Sequence, residues 1–191
     1  MSVPSIPTPE GISDQDPRWR LRVLEESDAE ELYAAVDANR DYLAHWLPWA
    51  AGQTLEGTLA FIRSTRRQLA NDDGFQTAIV EDGRIIGMVG FHGVSWDHRS
   101  TSIGYWLAEA AQGRGIMTGA VRALANYAFT VWELNRVEIR AAVGNERSRS
   151  IPERLGFRQE GVLRKAELVG DRYVDHAVYA RLASEWGSDT N

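Results

Sequence analysis

Two apolar runs meet at Asp82-Gly83 in "FQTAIVEDGRIIGMVGFHGV", and that junction constrains the fold more than any other stretch. Asp-Gly between alternating apolar runs marks a tight two-residue turn, so an antiparallel hairpin is expected here. "STSIGYWLA" follows as a further strand with no helix in between. Successive strands of this kind point to a largely antiparallel sheet rather than to alternating strands and helices.

The remaining segments fit around this centre. "RWRLRVLEESDAEELYAAVDANR" reads as a short strand, then a helix capped by Ser27 or Asp28 and running to about Asn39. "DYLAHWLPWA" is aromatic and broken by Pro48. Thr54 begins a second helix to about Leu69, with Leu55, Leu59, Ile62 and Leu69 on or near one face. Residues 114–130 carry Met117, Val121, Leu124 and Ala128 at helical spacing. "RVEIRAAV" is a strand and "ERSRSIPERLGF" a short helix ended by Gly156. "RQEGVLRKAELVGDRYVDHAVYARL" is an antiparallel pair turning at Gly170-Asp171. The order β α α β β β α β α β β predicts an α+β domain with a mixed, mostly antiparallel sheet flanked by helices. There is no internal repeat and no dividing linker. Residues 18–186 are expected to form the domain. The Pro-, Ser- and Asp-rich residues 1–17 are expected to be a flexible arm, and 187–191 a tail.

At 191 residues the chain suits one well-packed domain. It has no long apolar run and no leader pattern at its start, so neither a membrane partner nor secretion is expected, and a cytoplasmic location is. Lys and Arg number 21 against 27 Asp and Glu, a net charge of −6 that disfavours nucleic acid as a partner. Without cysteine there is no thiol catalysis, and the four scattered histidines do not have metal-ligand spacing.

The chemistry gathers at "GYWLAEAAQGRGIMTGAVRAL". Gly113 and Gly115 stand where a helix begins. There, backbone N–H groups without helical partners and the positive end of the helix dipole favour an anion. A phosphate loop would need Gly-Lys-Ser/Thr, and Gly115 is followed by Ile116-Met117. A dinucleotide fingerprint would open the first strand–helix unit, with an acid ending the next strand. Here strands precede the joint, and the next strand ends Ala142-Val143-Gly144. A helix that simply starts with glycines remains the plain alternative.

The joint has company. "IGYWLAEAAQGRGIMTGAV" resembles the acyl-CoA motif of the GNAT superfamily of N-acetyltransferases, Gln/Arg-x-x-Gly-x-Gly/Ala, with Met117 at the last position. That variant, followed by Thr118, resembles the branch of ribosomal-protein N-terminal serine/alanine acetyltransferases. Asn145-x-x-Ser148, Leu155-Gly156-Phe157 and the run from Glu167 through Gly170, Tyr173 and Asp175 are similar to that branch, as is the tryptophan-rich "YLAHWLPWA". The resemblance spans roughly Arg18 to Trp186.

It implies a GNAT-like fold and acetyl transfer from acetyl-CoA to an amine, with no metal. The acceptor it implies is an N-terminal α-amine. A small-molecule amine, or a non-catalytic acyl-CoA sensor on the same fold, stands as the alternative. A homodimer is also implied. The CoA pyrophosphate would lie on the amides of Gln112, Gly113, Arg114, Gly115, Ile116, Met117 and Thr118. Its pantetheine would pair with the strand carrying Tyr105, Trp106 and Leu107, and would meet Asn145. Tyr105 and Trp106 alternate, so only one of them is expected to face the cofactor.

Acyl transfer to an amine must remove a proton, stabilise an oxyanion and protonate sulfur. With no cysteine, direct attack in a ternary complex is expected. The resemblance implies Glu167 as the base and Ser148 as donor to the thiolate. Where relatives carry an acid before Ile-Gly-Tyr, this chain has Ser102. Tyr42, Trp46 and Trp49 are expected to wall the acceptor groove, with His92 nearby. Pro152 departs from the family pattern. An interior proline costs roughly 3 kcal/mol, so the last helix is expected to start late, capped by Ser150, displacing Ser148.

Overall fold

The computed structural model describes residues 18–187, so the proposed arm and nearly all of the proposed tail lie outside the described residues. Seven strands form one sheet in the order β1-β2-β3-β4-β5-β7-β6. β1 (Trp19–Val23), β2 (Gln76–Glu81), β3 (Arg84–Ser95) and β4 (Ser100–Leu107) pair antiparallel in sequence. β4 and β5 (Arg136–Ala142) are parallel, and α5 (Ile116–Thr130) makes the crossover that a parallel pair requires. β6 (Arg158–Val169) and β7 (Arg172–Leu182) close the sheet, with β7 beside β5. The expected α+β architecture is the one observed. At the Asp82-Gly83 turn both residues have positive φ, +48° and +77°, as a tight hairpin turn demands.

Apolar side chains fill both faces of the sheet. On one face α1 (Ala29–Asp37), α2 (Arg40–Ala44), α3 (Pro48–Ala51) and α4 (Leu55–Ala70) bury Leu32, Val36, Leu43 and Ile62 against Ala78, Val80, Met88 and Trp106. On the other, α5 and α6 (Glu146–Arg154) bury Val121, Leu124, Ala128 and Ile151 against Val89, Ile103, Val137 and Ile139.

"DYLAHWLPWA" contributes two short helices that the expected element order did not include, interrupted just before Pro48, which sits in the first turn of α3, where its missing N–H is harmless. One expectation about α4 needs correction. Thr54 does cap α4, accepting from the Gly57 amide at 3.0 Å. Its buried stripe is Thr58, Ile62 and Thr65, however, and Leu55 is exposed. The hydroxyls of Thr58 and Thr65 turn inward because each donates to a helix carbonyl, at 2.9 Å in both cases, so their methyls can pack.

Candidate active site

The sheet splits where the site lies. β4 pairs with β5 only over Ser100–Ile103 and Arg136–Ile139. Beyond that, Gly104–Leu107 stay with β3 and Arg140–Ala142 stay with β7. The inner edge of β4 is thereby left without a neighbouring strand. A cleft of about 1770 Å³ passes through the split, and every candidate site residue singled out in the sequence lines it. Tyr105 and Trp106 alternate across β4. Trp106 joins the core under the α1–α4 face while Tyr105 packs toward α6, yet both line the cleft. The cleft cuts through the sheet between the splayed strands, so it meets side chains from both faces.

At the end of β4 the chain turns into α5 through Gln112–Gly115. Gly113 and Gly115 adopt φ of +73° and +79°, and a Cβ at either would meet nothing within 4 Å. Positive φ asks for glycine, and the open space above it leaves the backbone accessible. The first helical bond of α5 runs from the Gly119 amide to the Gly115 carbonyl at 3.0 Å, so the amides of Ile116, Met117 and Thr118 lead the helix ahead of its ladder. Arg114 turns its guanidinium away to a bidentate pair with Glu81, which leaves its backbone to the cradle. Gln112 is held on both sides: its amide nitrogen donates to the Tyr42 hydroxyl at 2.6 Å, and its oxygen accepts from Arg147 at 2.8 Å. Arg154, from α6, reaches Ser150 Oγ at 2.9 Å and Thr118 Oγ1 at 3.4 Å. Two guanidinium groups therefore flank the glycine turn.

α6 corrects the expectation built on Pro152. It begins at Glu146, with Asn145 Oδ1 accepting from the Ser148 amide at 3.1 Å, and Pro152 lies inside it. Ser150 is an interior residue, not the cap. Ser148 sits in the first turn, and its carbonyl and Oγ both meet the Tyr105 hydroxyl, at 3.0 and 3.2 Å. Burial raises the Tyr105 phenol well above its ordinary pKa, with the Ser148 hydrogen bond opposing.

The other wall comes from the closing hairpin. Glu167 Oε2 lies 3.2 Å from His176 Nε2, and both residues line the cleft. The sequence did not single out His176. Leu163 pairs with His176 and Glu167 with Val174, so β6 uses four residues where β7 uses two. That bulge brings the carboxylate beside the imidazole, and counting back from the turn cannot reveal it. The cue available was His176 next to Asp175 in the closing run.

His92 stands on β3 with Nδ1 3.2 Å from Ser102 Oγ, and its ring lies so close over Gly104 that a Cβ there would come within 2.2 Å of Nε2. Desolvation and then the Arg140 charge push its pKa below the ordinary value. Trp46 packs edge-on to His45, with the Arg172 guanidinium 5.9 Å above its ring. Trp49 is 42% exposed at the rim.

The chain matches the acetyltransferase (GNAT) domain family over residues 18–158. It belongs to the GNAT acetyltransferases. This GNAT chain is 40% identical over 168 residues to the putative ribosomal N-acetyltransferase YdaF of Bacillus subtilis, covering 87% of this chain and 92% of that one. To the ribosomal-protein-serine acetyltransferase of Escherichia coli it is 30% identical, over 85% of this chain and 91% of the other. It superposes with a TM-score of 0.84 on the RimL ribosomal L7/L12 α-N-protein acetyltransferase in complex with coenzyme A. That match has 26% identity and covers 87% of this chain and 95% of that one. The protein is an acetyl-CoA-dependent N-acetyltransferase. Its open glycine turn, leading amides and unpaired β4 edge fit the co-substrate, because each offers backbone groups with room beside them. Among the described residues, no helix is long and apolar enough to cross a membrane.

Proposed function

We propose that this GNAT enzyme acetylates the N-terminal α-amine of a protein or peptide by direct attack in a ternary complex, with Glu167 taking the amine proton and Ser148 serving the departing sulfur. The observation that carries it is the Glu167–His176 contact at 3.2 Å on one arm of the split sheet. The other arm, β4, leads into the glycine turn.

Bound acetyl-CoA supplies the thioester acetyl group and the thiolate that leaves. The backbone of Gly113–Thr118, with Arg147 and Arg154 beside it, would hold the pyrophosphate, and the free edge of β4 would hold the pantetheine. Glu167 accepts the proton that the ammonium must lose, and His176 holds the carboxylate in place. Ser148 Oγ lies at the cleft with its hydrogen on the Tyr105 hydroxyl, and would turn that hydrogen to the sulfur.

The energetics favour an α-amine. Its pKa is roughly 7.7–8.0 against about 10.4 for lysine, so freeing lysine at neutral pH costs ~3.4 kcal/mol more. One partly exposed carboxylate suits the easier proton. Similarity to a ribosomal-protein-serine acetyltransferase supports the same acceptor class. The test offers two matched peptides, one with a free N-terminus and no lysine, the other blocked with an internal lysine. CoA release is expected with the first. Faster acetylation of the blocked lysine peptide rejects the proposal, and no release with either, against release with spermidine, moves the acceptor to small amines.

A further inference from the structure

Pro152 lies inside α6, and a helical amide at that position would donate to the carbonyl four residues back, which is that of Ser148. Proline has no amide to give. The Tyr105 hydroxyl takes its place, donating to the Ser148 carbonyl at 3.0 Å. The same phenol oxygen accepts from Ser148 Oγ at 3.2 Å. The Ser148 amide is fixed as well, by Asn145 Oδ1 at 3.1 Å. Every polar group of Ser148 is therefore tied, and two of the three ties end on one atom, the phenol oxygen carried by β4.

We propose that Tyr105 is a positioning residue for Ser148: Pro152 vacates the Ser148 carbonyl so that the Tyr105 hydroxyl can bind it, and that bond aims the phenol oxygen at Ser148 Oγ and sets its rotamer at the cleft. The inference rests on the reading of Ser148 as the residue that serves the sulfur. Tyr105 keeps its proton throughout. In the resting site its hydroxyl hydrogen lies on the Ser148 carbonyl, and Ser148 Oγ gives its own hydrogen to the phenol. When Oγ turns that hydrogen to the sulfur, the phenol hydrogen swings to Oγ, and burial, which makes a phenolate costly, keeps it on the tyrosine. In an ordinary helix the Ser148 carbonyl would already hold an intrahelical amide and the phenol could only share it; here the phenol donates to a carbonyl with no amide from position 152. The proline, read from sequence as a disturbance of Ser148, is on this account what couples α6 to β4.

The experiment compares Ser148→Ala, Tyr105→Phe and the double variant Tyr105→Phe/Pro152→Ala. Turnover is measured with whichever of the free-N-terminus peptide, the blocked lysine peptide and spermidine releases CoA fastest. Tyr105→Phe is expected to lower kcat about ten-fold, in line with one lost hydrogen bond in the transition state, with KM for acetyl-CoA within about two-fold. Its pH–rate limbs should not move. The double variant gives the Ser148 carbonyl an intrahelical amide, so thermal stability should recover while kcat stays low, since the Oγ anchor is still missing. If kcat recovers together with stability, Tyr105 only supports the helix and the proposal is overturned. A displaced pH limb in Tyr105→Phe makes the phenol a proton donor and overturns it too. Full kcat in Tyr105→Phe beside a damaged Ser148→Ala removes the role of Tyr105 and leaves that of Ser148. An unimpaired Ser148→Ala removes both.

Discussion

Asp175 Oδ1 accepts the backbone amide of Lys165 at 2.7 Å, and this bond holds the bulge that places Glu167 beside His176. Lys165 occupies the left-handed region, with φ of +50°, where a non-glycine residue carries strain that local bonding must offset. Bulges near active sites commonly re-aim a side chain, and here the side chain is the candidate base.

Asp175→Ala should therefore act on turnover more than on stability. The lost bond is solvent-exposed, and one hydrogen bond is worth ~0.5–1.5 kcal/mol, so the melting temperature should fall by only a few degrees. Turnover should fall ten-fold or more, with acetyl-CoA affinity unchanged. A variant with parental kcat would show that the bulge does not aim Glu167.

How much of this was legible in the sequence follows from what each feature depends on. The Asp82-Gly83 hairpin, the Thr54 cap and the Gly113/Gly115 turn are local, set by residues within a few positions of one another, and the sequence shows them. The cleft-lining residues were legible through motifs in the right order. His176 was not, because its meeting with Glu167 depends on unequal counting across two strands. The course of α6 was misread for a related reason. Proline's penalty is local, but the phenol that takes over the Ser148 carbonyl arrives from β4, 43 residues earlier. Helix stripes fail where threonines satisfy their own hydroxyls, as at Thr58 and Thr65.

Gly115→Val tests the cradle. A side chain at φ of +79° is strained by ~1–2 kcal/mol, so the apo protein should melt a few degrees lower. The informative measurement is the shift on adding acetyl-CoA. At about 100 times its dissociation constant a ligand adds ~2.7 kcal/mol to the parent. The variant should show little of this, since the new side chain projects into the open space beside the amides. An undiminished ligand-induced shift would place the pyrophosphate elsewhere.

Glu167→Gln keeps the shape of the side chain and removes its capacity to take a proton. General acid–base groups are typically worth ~10²–10⁴ in rate, so kcat should fall within that range and the acid limb of the pH–rate profile should move. His176→Asn should give a smaller fall, because the carboxylate remains and only its orientation is loosened. Equal losses in both variants would mean that the imidazole itself carries the proton. Retained activity in Glu167→Gln would pass that task to water or the backbone.

His92 supplies a pH dependence whose sign is fixed by its surroundings. Desolvation over the β4 backbone, then the Arg140 charge, lower its folded-state pKa below the ordinary ~6.5. The unfolded chain then binds more protons than the native one between those two values, so stability rises with pH there. The favourable contribution is complete above about 6.5, the unfolded value, and is lost as pH falls through the lowered folded value. His92→Gln, which has no proton to gain, should flatten this part of the stability curve. Arg140→Gln removes the smaller of the two causes and so raises the folded value only part of the way. The fall in stability should persist, smaller and with its midpoint at modestly higher pH, whereas it would vanish only if the charge were the main cause. Melting temperatures of the parent and both variants, taken between about pH 5 and pH 8, check it. A parental slope in His92→Gln would assign the acid sensitivity to another group.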